Sequence, residues 1–282
     1  MKVNYQYSRR WSLYIASKGG DALDLSGLKC VFSISKKDAQ SPNEARFVLF
    51  NISKQNSEML KKSFEKITVS AGYPNNFGII FSGNVKSYTF GRDRTELYLD
   101  IKAGDGDKAY NYSVISKSLA AGATPDNIVQ ELSNAMGVPV GFKSELDNRA
   151  LPRGKVMYGR PQEFMREQSD GQGCTWSIQD GEILMLKRTA VKEGEAVLLT
   201  PKTGLIGVPT QTDVGVTGKC LLNPKLQIGA AVKLESEYTE SLNGEYRLIK
   251  VTHKGDTRGN DWYTEFTALS LTPSGKDKVE KK

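Results

Sequence analysis

Cysteine is scarce in this chain: Cys30, Cys174 and Cys220 are odd in number, widely spaced and never arranged as C-x-x-C. That pattern argues against a disulfide framework and against a cysteine zinc site. Histidine is scarcer still. With His253 as its single histidine, one chain cannot form a histidine metal cluster or a histidine pair. No run of about 18 apolar residues occurs, so no membrane insertion is expected. Residues 1–20 carry Arg9 and Arg10 but no apolar core followed by a cleavage site. No signal peptide is read there, and synthesis in a reducing cytoplasm is the simple expectation. Neither G-x-S-x-G nor G-x-x-x-x-G-K-[ST] is present, and the glycine pairs do not sit between strand and helix as a dinucleotide site requires. No catalytic, cofactor-binding or metal residue is therefore assigned, and no cofactor follows.

A basic body is missing too. The net charge is +7, but Lys2, Arg9, Arg10 and Lys18 supply +4 within residues 1–20, where no acid stands. From Gly275 onward, Lys276, Lys278, Lys281 and Lys282 outweigh Asp277 and Glu280 by +2, which leaves +1 for residues 21–274. A nucleic-acid domain usually shows a basic face in its body. The terminal charges read as solvated tails or as partner-docking arms. Tyr5, Tyr7, Trp11 and Tyr14 cluster near the basic N-terminus. Such a cluster could stack single-stranded nucleic acid, but with a neutral body it better suits a strand buried against a neighbouring subunit.

What the chain does have is a faint internal duplication. Arg46–Asn51, Ile67–Tyr73, Phe81–Val85, a turn at Thr89–Asp93 and an alternating strand Leu97–Ile101 form one series. Lys219–Asn223, Ala231–Ser236, Leu242–Tyr246, a turn at Thr252–Asp256 and the strand Trp262–Phe266 repeat its order. Chance similarity between two hairpin-rich β-segments is the plain alternative. Elsewhere Leu28, Cys30, Phe32 and Ile34 alternate as a half-buried strand does. Ser53 caps a short helix with Met59, Leu60 and Phe64 on one face. Thr124-Pro125 opens a helix burying Ile128, Leu132 and Met136, and Gly137 ends it. A further helix begins at Pro161 and buries Phe164, with Met165 beside it. Asp180-Gly181 marks a hairpin, as does Asn243-Gly244. The fold class is mainly β with an α+β insert: two β-modules flank a small mixed domain. The boundaries read 1–20 for a basic arm or first strand, 21–104, 105–200, 201–273, and 274–282 for a disordered charged tail.

Carboxylates are the remaining chemical candidates, since glycoside hydrolysis needs only two, about 5 to 9 Å apart. Glu131, Glu145, Asp147 and Glu163 lie in the middle block, and a peptidoglycan hydrolase using such a pair is the alternative function. Glu131 sits on a helix flank as solvated residues do. Asp105-Gly106-Asp107 and Asp256–Asn260 lack the twelve-residue calcium pattern and read as turns between strands. His253, in its expected hairpin turn, reads as a turn residue rather than a base.

Taken in order, Ser41-Pro42-Asn43-Glu44-Ala45, Phe50-Asn51-Ile52-Ser53, Ala71-Gly72-Tyr73 and Phe81-Ser82-Gly83 resemble the baseplate hub proteins of contractile-tailed bacteriophages. So do Thr175–Gly181, Thr203–Pro209, Leu222-Asn223-Pro224, and His253–Asp256 through Trp262-Tyr263. The resemblance spans about residues 25–270, and it is the order of the pieces that is specific. It implies a virion protein of the tail baseplate, a homotrimer with two tube-like β-barrel domains per chain. Six similar barrels would then meet the sixfold tail tube, or a tube-initiator protein, while the other end seats a threefold central spike. The small domain would decorate the outside and touch other baseplate proteins, with DNA only as lumen cargo. This sequence is shorter than the larger hubs and lacks a fused spike or hydrolase module. A separate spike protein is the expectation, and Trp262 and Phe266 are expected to hold the second barrel.

Overall fold

The computed structural model describes residues 7–17, 19–93, 95–236 and 239–271, with side chains throughout except those of Lys54 and residues 61–64. Tyr5 and the charged tail 274–282 therefore lie outside the described residues. The first part runs β1 (Arg10–Ser17), β2 (Ala22–Asp24), β3 (Cys30–Lys37), β4 (Asn43–Phe50), α1 (Lys54–Ser63), β5 (Phe64–Tyr73), β6 (Asn76–Asp93) and β7 (Glu96–Asp105). The middle holds α2 (Asp107–Tyr112), β8 (Ile115–Leu119), α3 (Pro125–Met136), β9 (Val140–Lys143), β10 (Lys155–Gly159), α4 (Pro161–Gly171), β11 (Cys174–Gln179) and β12 (Glu182–Lys187). Last come β13 (Val197–Leu199), β14 (Leu205–Thr212), β15 (Gly215–Leu221), β16 (Ala231–Leu234), β17 (Gly244–Asp256) and β18 (Trp262–Ser270). The chain is mainly β, with an α+β insert.

Alternation drives the strands. In β3, Cys30, Phe32 and Ile34 point into a core while Val31 and Ser33 face out, as the period of two requires. The first sheet runs in the order β3-β4-β7-β6-β5-β1-β2 and curls around Leu13, Phe47, Phe81 and Ile101. The second runs β14-β15-β18-β17-β16-β13 around Leu205, Val216, Leu248 and Phe266. Strand for strand, β3-β4-β7-β6-β5-β1 and β14-β15-β18-β17-β16-β13 have the same plan, although β1 is antiparallel to β5 and β13 parallel to β16. The likeness reaches single residues. The β6–β7 ladder steps from Val85/Ala103 to Ser87/Lys102, and the β17–β18 ladder from Leu248/Ala268 to Lys250/Thr267. Each skips one residue, Lys86 or Ile249, at the same point of the plan.

The two sheets are continuous. Beyond its pairing with β16, strand β17 pairs with β3 from Lys250/Lys37 to Asp256/Val31. Thus β3, the margin of one module, lies along a strand of the other, and 13 strands make one sheet.

Several expected turns are strand instead. Thr89–Asp93 and Thr252–Asp256 lie within β6 and β17, and the reversals come later. After β17 the Asp256 carboxylate accepts from the backbone N–H of Arg258 and of Gly259, both at 2.9 Å, so that segment is a turn. Asn243-Gly244 makes no two-residue hairpin: Gly244 begins β17, and Asn243 Oδ1 accepts from the N–H of Ser236. Asp107 opens α2 rather than a strand-to-strand turn. In α1 the Ser53 cap holds, at 3.2 Å to the N–H of Asn56, and Leu60 is buried. Met59 is exposed, however, and Phe64 starts β5.

The middle block has a third core around Leu132, Met157, Met165 and Trp176, on which Tyr110 stacks at 5.4 Å. Helix α3 carries the full Thr124/Asn127 capping box and ends on a left-handed Gly137. Met165, rather than Phe164, is the fully buried anchor of α4. The Asp180-Gly181 turn joins β11 to β12 with both residues at positive φ, the backbone a two-residue hairpin needs. Trp262 departs from expectation. Its ring belongs to the first core, edge-on to Phe32 at 5.5 Å, whereas Phe266 fills the second.

Candidate assembly surface

The buried polar residues hold the parts of the chain together. The Asp180 carboxylate, on the β11–β12 turn, takes Lys36 Nζ at 2.7 and 2.6 Å and the N–H of Ser82 at 3.0 Å. Beside it, Asp105 at the end of β7 accepts from the N–H of Gly181 at 3.0 Å, while its second oxygen has no partner. Burial, helped by the Asp180 charge, pushes the Asp105 carboxyl up to about 6 against the opposing pull of Lys36 and the turn's backbone N–H groups. Asn43 Nδ2 donates to the Ile178 carbonyl and to Gln179 Oε1, both at 3.0 Å. On the far side of the hairpin, Arg247 of β17 donates to the Lys187 carbonyl at 2.8 Å and pairs with Asp38 at 3.2 Å. One hairpin of the insert is thereby fastened to both sheets.

His253 is in the β17 ladder, fully buried, with Nδ1 at 2.9 Å from Thr264 Oγ1. Burial first, then nearby Lys36, pushes its imidazole down to about 3. It is a neutral core residue, a correction to its placement in a turn. The four middle-block carboxylates go separate ways. Glu131 pairs with Lys117 at 3.1 Å and Asp147 with Arg149 at 2.6 Å, while Glu145 and Glu163 are exposed. None of them lines the cleft of about 670 Å³ between Tyr73, Asn76, Leu222 and the crossing segment Lys192–Leu199. Arg9 docks its guanidinium on the carbonyls of Gly259 at 2.6 Å and Asn260 at 2.9 Å, over the Trp262 ring. Trp11 packs against the first core, and Tyr14 is exposed on β1.

The extensive surface is the back of the sheet itself. Eight neighbouring strands, β14-β15-β18-β17-β3-β4-β7-β6, bury one face in the two cores. Across the other face the register sets polar residues side by side. Lys254, Ser33, Arg46, Lys102 and Ser87 form one row, and Lys219, Glu265, Thr252, Ser35 and Glu44 another. Two ion pairs lie on it: Lys254 holds Glu265 at 2.9 Å, and Arg46 holds Asp100 at 2.8 Å. Lys219 lies over the Tyr263 ring at 3.6 Å. The result is a broad hydrophilic wall of serine, threonine and charged side chains of both signs. Sequence alternation contains this face, but only the β17–β3 ladder makes it continuous, and that long-range pairing has no local signal.

Comparison with known proteins points to one kind of molecule. A family model described as baseplate hub gp41 matches residues 31–268. No curated protein matches the chain. Among solved structures, the 43 kDa tail protein of prophage MuSo2 from Shewanella oneidensis has a TM-score of 0.63 at 10% identity, over 94% of this chain and 99% of that one. A tail protein from Neisseria meningitidis MC58 gives 0.64 at 11% identity, over 94% and 97%. The E. coli c3393 protein, described as a type VI secretion component structurally similar to the T4 tail proteins gp27 and gp5, gives 0.63 at 12% identity, over 93% and 77%. At such identities the likeness speaks for the fold.

Proposed function

The chain belongs to the baseplate hub gp41 family, and from that premise we propose that three copies form a ring at the centre of a phage tail baseplate. The observation that carries this is the duplicated plan, strand order and skipped residue included. Two like modules per chain become six in a trimer, so one face of the ring can meet a sixfold tube or tube-initiator protein. The same ring keeps threefold symmetry for a separate central spike. Its working parts are the barrel-like domains 21–104 and 201–273, with the small domain 105–200 braced between them. A ring of this kind uses one edge of each protomer against a different edge of the next.

The hydrophilic wall faces the channel in this reading, because the bulk of both modules and the insert lies behind the opposite face and cannot fit inside. DNA would pass such a wall as cargo, without base recognition. The role is structural: the protein is made in the host cytoplasm, is built into the virion and catalyses nothing. No observation favours a hydrolase. Imaging of the purified assembly down its axis tests the reading. Six similar densities around a channel, alternating in a threefold pattern, are expected. A particle without a central channel, or clearing of peptidoglycan by the pure protein, would overturn it.

A further inference from the structure

The four most exposed large apolar side chains among the described residues all belong to one corner of the insert. They are Tyr158 at 79%, Tyr112 at 78%, Val156 at 72% and Val114 at 68%. Tyr112 ends α2, and the others lie in or beside the β8–β10 ladder, which pairs with neither of the chain's other sheets. Register sorts that ladder into two faces. On one, Ile115 and Met157 enter the third core, while Lys117 and Lys155 reach Glu131 of α3 and Glu167 of α4, each at 3.1 Å. On the other, Ser116 stands opposite Tyr158 and Ser118 opposite Val156, with no charge among them. Ser113 and Arg160 are both extended, so the same alternation carries the outer face on to Val114 before β8 and to Arg160 after β10.

We propose that the outer face of β8–β10 docks a second kind of protein, one that presents apolar side chains bordered by carboxylates. Docking here needs the family role of the chain but not the trimer. Covering the two tyrosines alone withdraws about 300 Å² from water, and a patch of that order on a soluble protein marks an interaction site. Tyrosine and arginine are also the residue types that carry binding energy in interfaces.

Charge selects the partner. Arg153 and Arg160 flank β10, both exposed and without an ion pair among the described residues, whereas Lys117 and Lys155 are already paired to the helices. The rim therefore offers cations that an acidic surface complements. A second copy does not, because a two-fold contact of this face with itself would set the same cations against each other. The chain's own ends carry +4 and +2, so they do not supply the carboxylates either. A bilayer would accept the valines but would strip water from the Ser116 and Ser118 hydroxyls at the centre of the face, while a protein surface can give them hydrogen bonds.

Binding measurements on the full chain test the surface. The probes are the other tail proteins of the same particle, each purified and immobilised singly. One of them is expected to bind, and less tightly as salt rises. Y158A and V156S should each weaken that binding about tenfold or more, and R160E should weaken it and flatten its salt dependence. M59A, which trims an exposed side chain on α1, should leave it unchanged. Wild-type melting behaviour of each variant guards against misfolding. If no tail protein binds, or if one binds Y158A and R160E as tightly as the wild type, the docking surface is overturned. Binding to vesicles of phosphatidylglycerol and phosphatidylethanolamine that is lost in Y158A would overturn it in favour of a membrane. Self-association lost in Y158A would overturn it in favour of a second copy. A chain that stays monomeric yet binds a tail protein through Tyr158 would keep this surface and overturn the trimeric reading; a trimer that binds none would do the reverse.

Discussion

Replacing Asp105 by asparagine should stabilise the protein at neutral pH and change how its stability follows pH. Asp105 is 2% exposed, faces Asp180, and has one carboxylate oxygen without a partner. A rise from the ordinary 3.8 to about 6 corresponds to about 3 kcal/mol of bias against the charged form. Because the folded value lies above the unfolded one, this contribution is fully present below about pH 4 and is lost as pH rises through about 6. His253 acts in the opposite sense. Its folded value of about 3 lies below the ordinary 6.5, so its contribution is present above pH 6.5 and lost as pH falls. The wild-type profile mixes both trends, and the difference between wild type and D105N isolates the first. An amide N–H left unpaired at this buried site takes back about 1 kcal/mol or more. D105N should therefore gain about 1–2 kcal/mol at pH 7.5, a few degrees in melting temperature, and lose that advantage by pH 4. Thermal melts of both proteins at half-unit steps from pH 4 to 8 give the comparison. A difference that does not vary with pH, or a D105N protein less stable at every pH, would refute the reasoning.

Breaking the buried Arg247–Asp38 pair with R247M should cost about 3–5 kcal/mol in a urea melt, since among the described residues the Asp38 carboxylate keeps only the Thr175 and Ser177 hydroxyls. The D38N/R247M double variant should recover part of that loss; no recovery would mean that the lost packing of Arg247, not the stranded charge, dominates. Trp262→Ala and Phe266→Ala should each cost about 3–5 kcal/mol, but in different places. Hydrogen exchange should lose protection mainly in β3–β7 for the first and in β14–β18 for the second, and identical patterns would contradict the assignment of Trp262 to the first core.

Much of this was legible where the signal is local. The alternation of β3, the Thr124 cap and Gly137 stop of α3, and the Asp180-Gly181 hairpin all act within a few residues, and all stand as read. The order of elements exposed the duplication. Gly91 and Gly255 misled, because glycine in a polar stretch reads as a breaker. In the structure both are strand positions covered by a facing ring. A Cβ at Gly91 would come within 2.3 Å of Tyr98, and one at Gly255 within 2.4 Å of Phe32, so the aromatic neighbour takes the space a side chain would fill. The β3–β17 ladder and the passage of Trp262 into the first core were hidden for another reason. Each joins residues more than two hundred positions apart, and only the assembled sheet brings them together. The same holds for Asp180, which read as a turn former and serves also as the anion that binds Lys36.

The most direct test of the central claim is the mass of the purified chain in solution, by light scattering behind size exclusion over a wide concentration range. The expected species is a trimer of about 93 kDa, three times the 31.1 kDa chain. A monomer or a dimer at every concentration up to about 100 µM would contradict it.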